Sequence, residues 1–417
     1  MSFGNLITIT FITTAASAVR TTTAAVDQHR PILYSYTQQS KTMAKLTKVL
    51  ASALALAGSS AATWPPNSKD CTTTAAAADG FPTPNAQQLR AISERADGSL
   101  SNAPPPATLA DSTLQSLQVI AFNEEFETAY FQSLLANVTL GVPGYESWKG
   151  YGKAELEKIL KVIIAQEELH ALNALNALNK FKKLAPLPCK YRFPVTNIHD
   201  AIAVAEAFTA VVMGTLQDVS QAAAAAGDAG IVRGVASVIG QEGEQNGFYR
   251  TLLGAVPSEK PFLTTNVGPF AFSFLNNNFV VPNSCPFDIN ALGVPIFTQL
   301  SVEGGSAALD IRPEDQWLNY SADLSSVKNA AKFSNGNGEG LFVTYFSGQL
   351  VPISVPVKDF KWNGGKVTFK AFFPFEENIM FGLSIASLTD GGNFTNPDAV
   401  PAATLAAPAI INVNDDF

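Results

Sequence analysis

Glu167-Glu168-Leu169-His170 sets a carboxylate and an imidazole three residues apart, so that on a helix both lie on one face and can grip the same cation. Glu242-Gly243-Glu244-Gln245 repeats the spacing, with a neutral and weaker amide donor where a second imidazole would stand. Two further glutamates, Glu124 and Glu206, sit in long stretches of apolar periodicity. A stripe drawn every three and four residues through each of the four stretches is apolar except near its middle, where it meets one of these glutamates. No lysine or arginine falls on the stripes. Four carboxylates converging in an apolar interior repel one another by several kcal/mol unless they are protonated or bound to cations. A Glu from each of two helices and Glu-x-x-His from the other two is the pattern of carboxylate-bridged metal pairs. These residues predict one or two iron or manganese ions held by Glu124, Glu167, His170, Glu206 and Glu242. Gln245 is then a weak ligand or a hydrogen-bond donor behind the ligands, and the second metal position is loosely held or empty. His29 lies in the N-terminal extension and His199 two turns before Glu206, so neither replaces the absent imidazole. Glu127, Tyr130 and Tyr249 stand behind the ligands: Glu127 reads first as a solvated helix face and second as a bridging or entry carboxylate, and the tyrosines read as packing before redox relays.

The elements that must position these residues are helices over about 111–140, 153–183, 197–226 and 229–256, the last two separated by Gly227-Asp228. Each is a rod of about 40 Å at 1.5 Å per residue, and short connections predict an antiparallel four-helix bundle. After Pro286 the texture changes. Segments 341–346, 350–357, 366–372 and 379–388 are β-branched and aromatic, punctuated by Gly348, Asn363-Gly364-Gly365 and Gly391-Gly392, which predicts a β-sandwich-like region. The expected class is α+β with several domains. Residues 1–62 form an N-terminal extension ending in a signal peptide at 43–62, and 63–107 a Pro/Ala/Ser/Thr-rich linker or pro-segment without a core. Residues 108–286 form the bundle and 287–417 the β-rich region, a structural or binding module with no histidine or cysteine of its own.

Of 417 residues 47% are hydrophobic and only 15% charged, which excludes wholesale disorder. The net charge of -8 argues against nucleic acid as a partner, because phosphate binding draws on clustered lysine and arginine. From Met43 the chain reads as a secretory signal: Lys45 and Lys48, a short apolar run from Val49 to Gly58, then Ser60 and Ala62 at the positions a signal protease reads. The run is too short to span a membrane, and no later segment reaches that length, so the expectation is a soluble, exported protein. Secreted material should begin close to Thr63 on N-terminal sequencing, and a mature chain retaining Met43 would contradict this. Export favours pairing of cysteines. With Cys71 in the Thr/Ala-rich leader, Cys189 and Cys285 are the expected disulfide. Asn137, Asn319 and Asn393 open Asn-x-Ser/Thr tripeptides and are the expected glycan acceptors.

Residues 122–131 (FNEEFETAYF), 166–170 (QEELH), 205–208 (AEAF) and 241–250 (QEGEQNGFYR) carry a resemblance. The stretch from about 104 to 286 resembles the ferritin-like domain of fungal secreted proteins called late sexual development proteins and of related stress-response proteins, and more distantly plant desiccation-related proteins. The resemblance covers less than half the chain and departs at Gln245, where the family commonly has histidine. It implies a ferritin-like four-helix fold in exported proteins linked to development, starvation or desiccation, without a defined reaction and without an iron-storing cage. Two readings follow. One is a secreted metal protein with residual oxidase or peroxide-consuming chemistry. The other is a non-catalytic structural or protective protein of wall, spore or fruiting tissue that has lost its metal, with the β-rich region as its expected contact to the cell wall or matrix.

Overall fold

A computed structural model describes residues 79–104 and 106–414. The expected signal peptide, its cleavage site and Cys71 lie outside the described residues. The first element is a short helix, α1 (Ala86–Arg95), fixed at its start by a capping box in which Asn85 accepts from the Gln88 backbone while the Gln88 side chain accepts from the Asn85 backbone. The expectation of a coreless linker up to residue 107 is corrected here, because Phe81, Ile92 and Ala96 are buried among Leu169, Leu172 and their neighbours.

Four long helices follow: α2 (Asp111–Leu140), α3 (Lys153–Lys180), α4 (Ile198–Ala225) and α5 (Ala229–Leu253). Their limits lie close to those expected from the apolar period. Helix α2 ends at Gly141 and α5 at Gly254, both left-handed, which lets each chain turn back without steric cost. Helix α2 packs along α3 and α4 along α5, with a further contact between α2 and α4. A sixth helix, α6 (Gly268–Asn278), went unforeseen; its alternating Phe270, Phe272 and Phe274 imitate a strand, yet it is buried almost all round. It reaches its place because Gly214 of α4 carries no side chain, since a Cβ there would lie 2.5 Å from the Thr264 carbonyl oxygen.

Among the described residues nine strands complete the fold: β1 (Ser301–Val302), β2 (Ala307–Ile311), β3 (Gln316–Asp323), β4 (Phe342–Ser347), β5 (Ile353–Pro356), β6 (Lys358–Asn363), β7 (Lys366–Phe373), β8 (Gly382–Thr389) and β9 (Thr404–Val413). They form a four-stranded sheet in the order β1-β3-β7-β6 and a five-stranded sheet in the order β2-β9-β8-β4-β5, antiparallel throughout except for β2 with β9. Leu318, Tyr320, Phe369 and Phe373 of the first sheet share a core with Val343, Tyr345, Leu388 and Ile411 of the second. The other face of the second sheet, with Phe346, Leu383, Ile385 and Ile410, packs into the helical core beside Phe270 and Phe272. Strand β8 is therefore buried along its whole length and has no alternating pattern. The boundary expected at 286/287 separates helical from strand-forming sequence but not two cores.

Cys189, after α3, is bonded to Cys285, after α6, as expected. The sequence separation is 96, and constraint of so long a loop in the unfolded chain is worth on the order of 4 kcal/mol in the chain-entropy account. Replacing both cysteines by alanine should therefore lower the unfolding free energy by that order in a denaturant titration, and a change below about 1 kcal/mol would show the bond to be incidental. Asn319 on β3 and Asn393 are exposed, whereas Asn137 is half-buried on α2.

Candidate metal centre

Helices α2, α3 and α5 each place a glutamate at mid-length on the inward face, and the three meet at one imidazole. His170 Nδ1 lies 3.0 Å from Glu167 Oε2, 3.6 Å from Glu242 Oε1 and 3.7 Å from Glu124 Oε2. One atom from each of Glu124, Glu167, His170 and Glu242 lies within 4.8 Å of the others, close enough to surround a single cation. The three carboxylates are fully buried, and His170 is 14% exposed. Neither oxygen of Glu124 nor of Glu242 has a hydrogen-bond partner.

Those four oxygens, none of them hydrogen-bonded, test whether the residues suit a metal. A buried carboxylate without a partner carries a desolvation cost that a native fold seldom leaves uncompensated. Two ionised carboxylates at about 4 Å also repel by roughly 4 kcal/mol even at a generous effective dielectric constant. Burial first, and then the Glu167 charge, pushes Glu242 up to about 8, while His170 pulls it back. Burial likewise pushes Glu124 to about 7 against the pull of His170. Burial disfavours the charged imidazole, but its carboxylate neighbours outweigh this and hold His170 well above its ordinary value. Carboxylate oxygens with one imidazole nitrogen, gathered around one point, form a donor set that could hold a metal ion.

Glu206 does not join them, and its expected role as a ligand is corrected. Its Oε1 accepts from Arg250 Nη1 at 3.0 Å and its Oε2 from Asn412 Nδ2 at 2.7 Å, and both charged partners are only 2% exposed. Arg250 follows Tyr249 on α5, one residue off the inward stripe, so a stripe of apolar period passes beside it. The buried pair ties α4, α5 and β9 together.

The reading of Glu127 as a solvated face is corrected, since it is fully buried. Asn123 Nδ2 donates to its Oε1 at 2.8 Å, and its Oε2 has no partner. Burial first, then the charges of Glu242, Glu167 and Glu124, push its carboxyl well above the ordinary range, which places it within the field of the cluster. The spacing of Glu124 and Glu127, three residues apart on one helix face, was the available signal.

Gln245 offers the cluster its amide nitrogen: Nε2 donates to Glu167 Oε1 at 2.8 Å, while its Oε1 accepts from Tyr249 Oη at 3.0 Å. Its role is that of the hydrogen-bond donor, fixing Glu167 from the side away from His170, with Tyr249 holding the amide in turn. Tyr130 instead donates to the Ala201 carbonyl at 2.7 Å and packs among Phe131, Phe193 and Phe208.

No protein-family model matches the chain, and no curated protein is significantly similar to it.

Proposed function

We propose that this chain is an exported, ferritin-like metal protein that holds a single iron or manganese ion between Glu124, Glu167, His170 and Glu242. The observation that carries the reading is the set of four fully buried oxygens of Glu124 and Glu242 that lack a hydrogen bond and lie around His170. Glu127 stands ready as a further carboxylate donor, and the arrangement of α2 to α5 supports the ferritin-like four-helix description. Such an ion would supply open coordination positions for dioxygen or peroxide. The chain's own residues then have defined parts. Glu167 is held between His170 and the Gln245 amide, His170 orients toward all three carboxylates, and Tyr249 fixes Gln245. The three carboxylates are fully buried in the apolar interior of the helices, which keeps water from them. A role in development or stress protection, as in the fungal secreted proteins that the sequence resembles, belongs to this reading, as do export and wall contact through the β-rich region.

Two observations favour a second reading, a structural or protective protein without metal. Gln245 stands in place of an imidazole, and Glu206 is neutralised by Arg250. Thermal unfolding separates the two. A metal that binds the folded chain alone stabilises it by about 2.7 kcal/mol at a free concentration of a hundred times Kd, so the melting temperature should rise with added manganese, iron or zinc. Glu124→Gln, which removes a carboxylate and keeps the shape, should abolish that rise. A melting temperature independent of every metal tested would favour the structural protein.

A further inference from the structure

The outer face of the first sheet carries an aromatic pair that the described residues leave partly in water. Strands β3 and β7 alternate: Leu318, Tyr320, Phe369 and Ala371 point into the core, while Trp317, Asn319, Lys370 and Phe372 lie on the opposite face. Trp317 is 51% exposed, and its ring centre lies 5.5 Å from that of Phe372, its partner across the two strands. An indole at a surface suits a partner that is apolar on one side and hydrated on the other.

The sequence places such a partner beside it. Asn319-Tyr320-Ser321 is one of the Asn-x-Ser/Thr tripeptides, and on a strand residues two apart share a face at a spacing of roughly 6.6 Å. Trp317, Asn319 and Ser321 therefore form one outward row. Asn319 is exposed, and its Nδ2 donates to Glu303 Oε1 at 3.1 Å and Oε2 at 3.3 Å, which fixes the nitrogen that would carry a sugar. An N-linkage takes one of the two amide hydrogens and leaves the other for Glu303. Across the strands Asn319 faces Lys370, whose Nζ lies 3.4 Å from Asp359, so the apolar neighbours, Trp317 and diagonally Phe372, are gathered at one end. The other two tripeptides are built differently. Asn137 is half-buried on α2, and Asn393 follows Gly391-Gly392.

We propose that the glycan carried by Asn319 folds back on the protein, with its first sugar packed on the indole of Trp317 and Phe372 supporting that ring. The inference rests on the reading of this chain as exported. The sugar comes from an activated oligosaccharyl pyrophosphate of the secretory pathway: the bond from Nδ2 to C1 forms, the bond from C1 to pyrophosphate breaks, and one amide proton is released. A pyranose ring turns C–H groups to one side and hydroxyls to its rim, so stacking removes apolar area from water on both partners while the hydroxyls stay hydrated. The covalent link makes the contact intramolecular, which keeps its entropic cost small. A depression of about 570 Å³ lies on the other side of Asn319, lined by Ser321, Lys361, Thr368 and Lys370 among others. A glycan resting there would leave Trp317 in water.

The test uses the full chain secreted by a glycosylating host, with occupancy of Asn319 read by mass spectrometry of its glycopeptide. Ser321→Ala removes the glycan and keeps Asn319. It should lower the melting temperature by on the order of 2 °C, the scale of one aromatic contact in a chain of this size, and raise the quenching of tryptophan fluorescence by acrylamide. In a Trp317→Thr background the same change should do neither, because the partner is gone. Enzymatic trimming of the parent glycan to its first sugar should leave both quantities at the parent values. Thr395→Ala, which removes the glycan expected at Asn393, should leave the quenching unchanged. Trp317 is exposed, so its replacement spares the core, and equal far-ultraviolet spectra would verify this. Equal quenching of the parent and Ser321→Ala, with Asn319 occupied in the parent, would overturn the inference, and so would an equal loss of stability with and without Trp317. Secreted chain with Asn319 bare would overturn it at its premise, whereas retention of the chain inside the host would overturn the reading of export, so the failures are distinct.

Discussion

Arg250→Met should lower the unfolding free energy by about 3–5 kcal/mol, the scale of leaving one partner of a buried ion pair uncompensated. Both groups of the Arg250–Glu206 pair are only 2% exposed, so solvent screens little of this effect. Arg250 also donates through Nε to the Val256 carbonyl at 2.8 Å, a bond that would be lost with it. In the double variant Glu206→Leu/Arg250→Met the charge is gone from both sides, and most of the lost stability should return, less the cost of leaving the Asn412 amide without its acceptor. Urea titration of the three proteins measures the recovery. The pair belongs to the framework and not to the metal site, so Glu206→Gln should keep its metal content while losing stability. Loss of metal in Glu206→Gln, with stability unchanged, would return Glu206 to the ligands.

The second large effect concerns His170, the group that all three cluster carboxylates approach. Its removal leaves buried carboxylates with no imidazole among them, and loss of one first-sphere donor from a site of this kind should cost at least the 10- to 100-fold in affinity that supporting residues alone are worth, roughly. His170→Ala should therefore emerge from dialysis against metal-buffered solution essentially free of metal. Gln245→His works in the other direction. It places an imidazole three residues from Glu242, at the position from which Gln245 now donates to Glu167, and should raise the amount of bound metal. Elemental analysis of both variants beside the parent measures the pair of effects. Retention of full metal content by His170→Ala would place the ion elsewhere.

Much of this arrangement was legible in the residues. The 3.6-residue period of α2 to α5 is long and apolar, and the Glu167/His170 and Glu242/Gln245 spacings fix which faces turn inward. Glu206 was misread because a stripe on one helix says nothing of a cation brought by another. Arg250 lies one residue off the α5 stripe, and the other partner of Glu206, Asn412, lies on β9, more than two hundred residues from Glu206 in sequence. Glu127 was misread in the opposite sense, because a charged residue at the edge of a stripe is ordinarily solvated, and only the contact of α2 with α3 and α4 encloses it. Helix α1 hid in an Ala/Pro/Ser-rich stretch too short for an apolar period, although its Asn85–Gln88 capping box was present in the sequence. Strands β8 and β9 lacked clean alternation for a physical reason: one face meets the first sheet and the other meets the helices, so burial does not alternate along them.

The most direct test of the central claim is the metal content of the purified parent chain after refolding with iron, manganese or zinc and dialysis to remove loosely held ions. The four-residue site predicts about one equivalent per chain for at least one of these metals. Less than about a tenth of an equivalent for every metal, roughly the level left by adventitious surface sites, would contradict it.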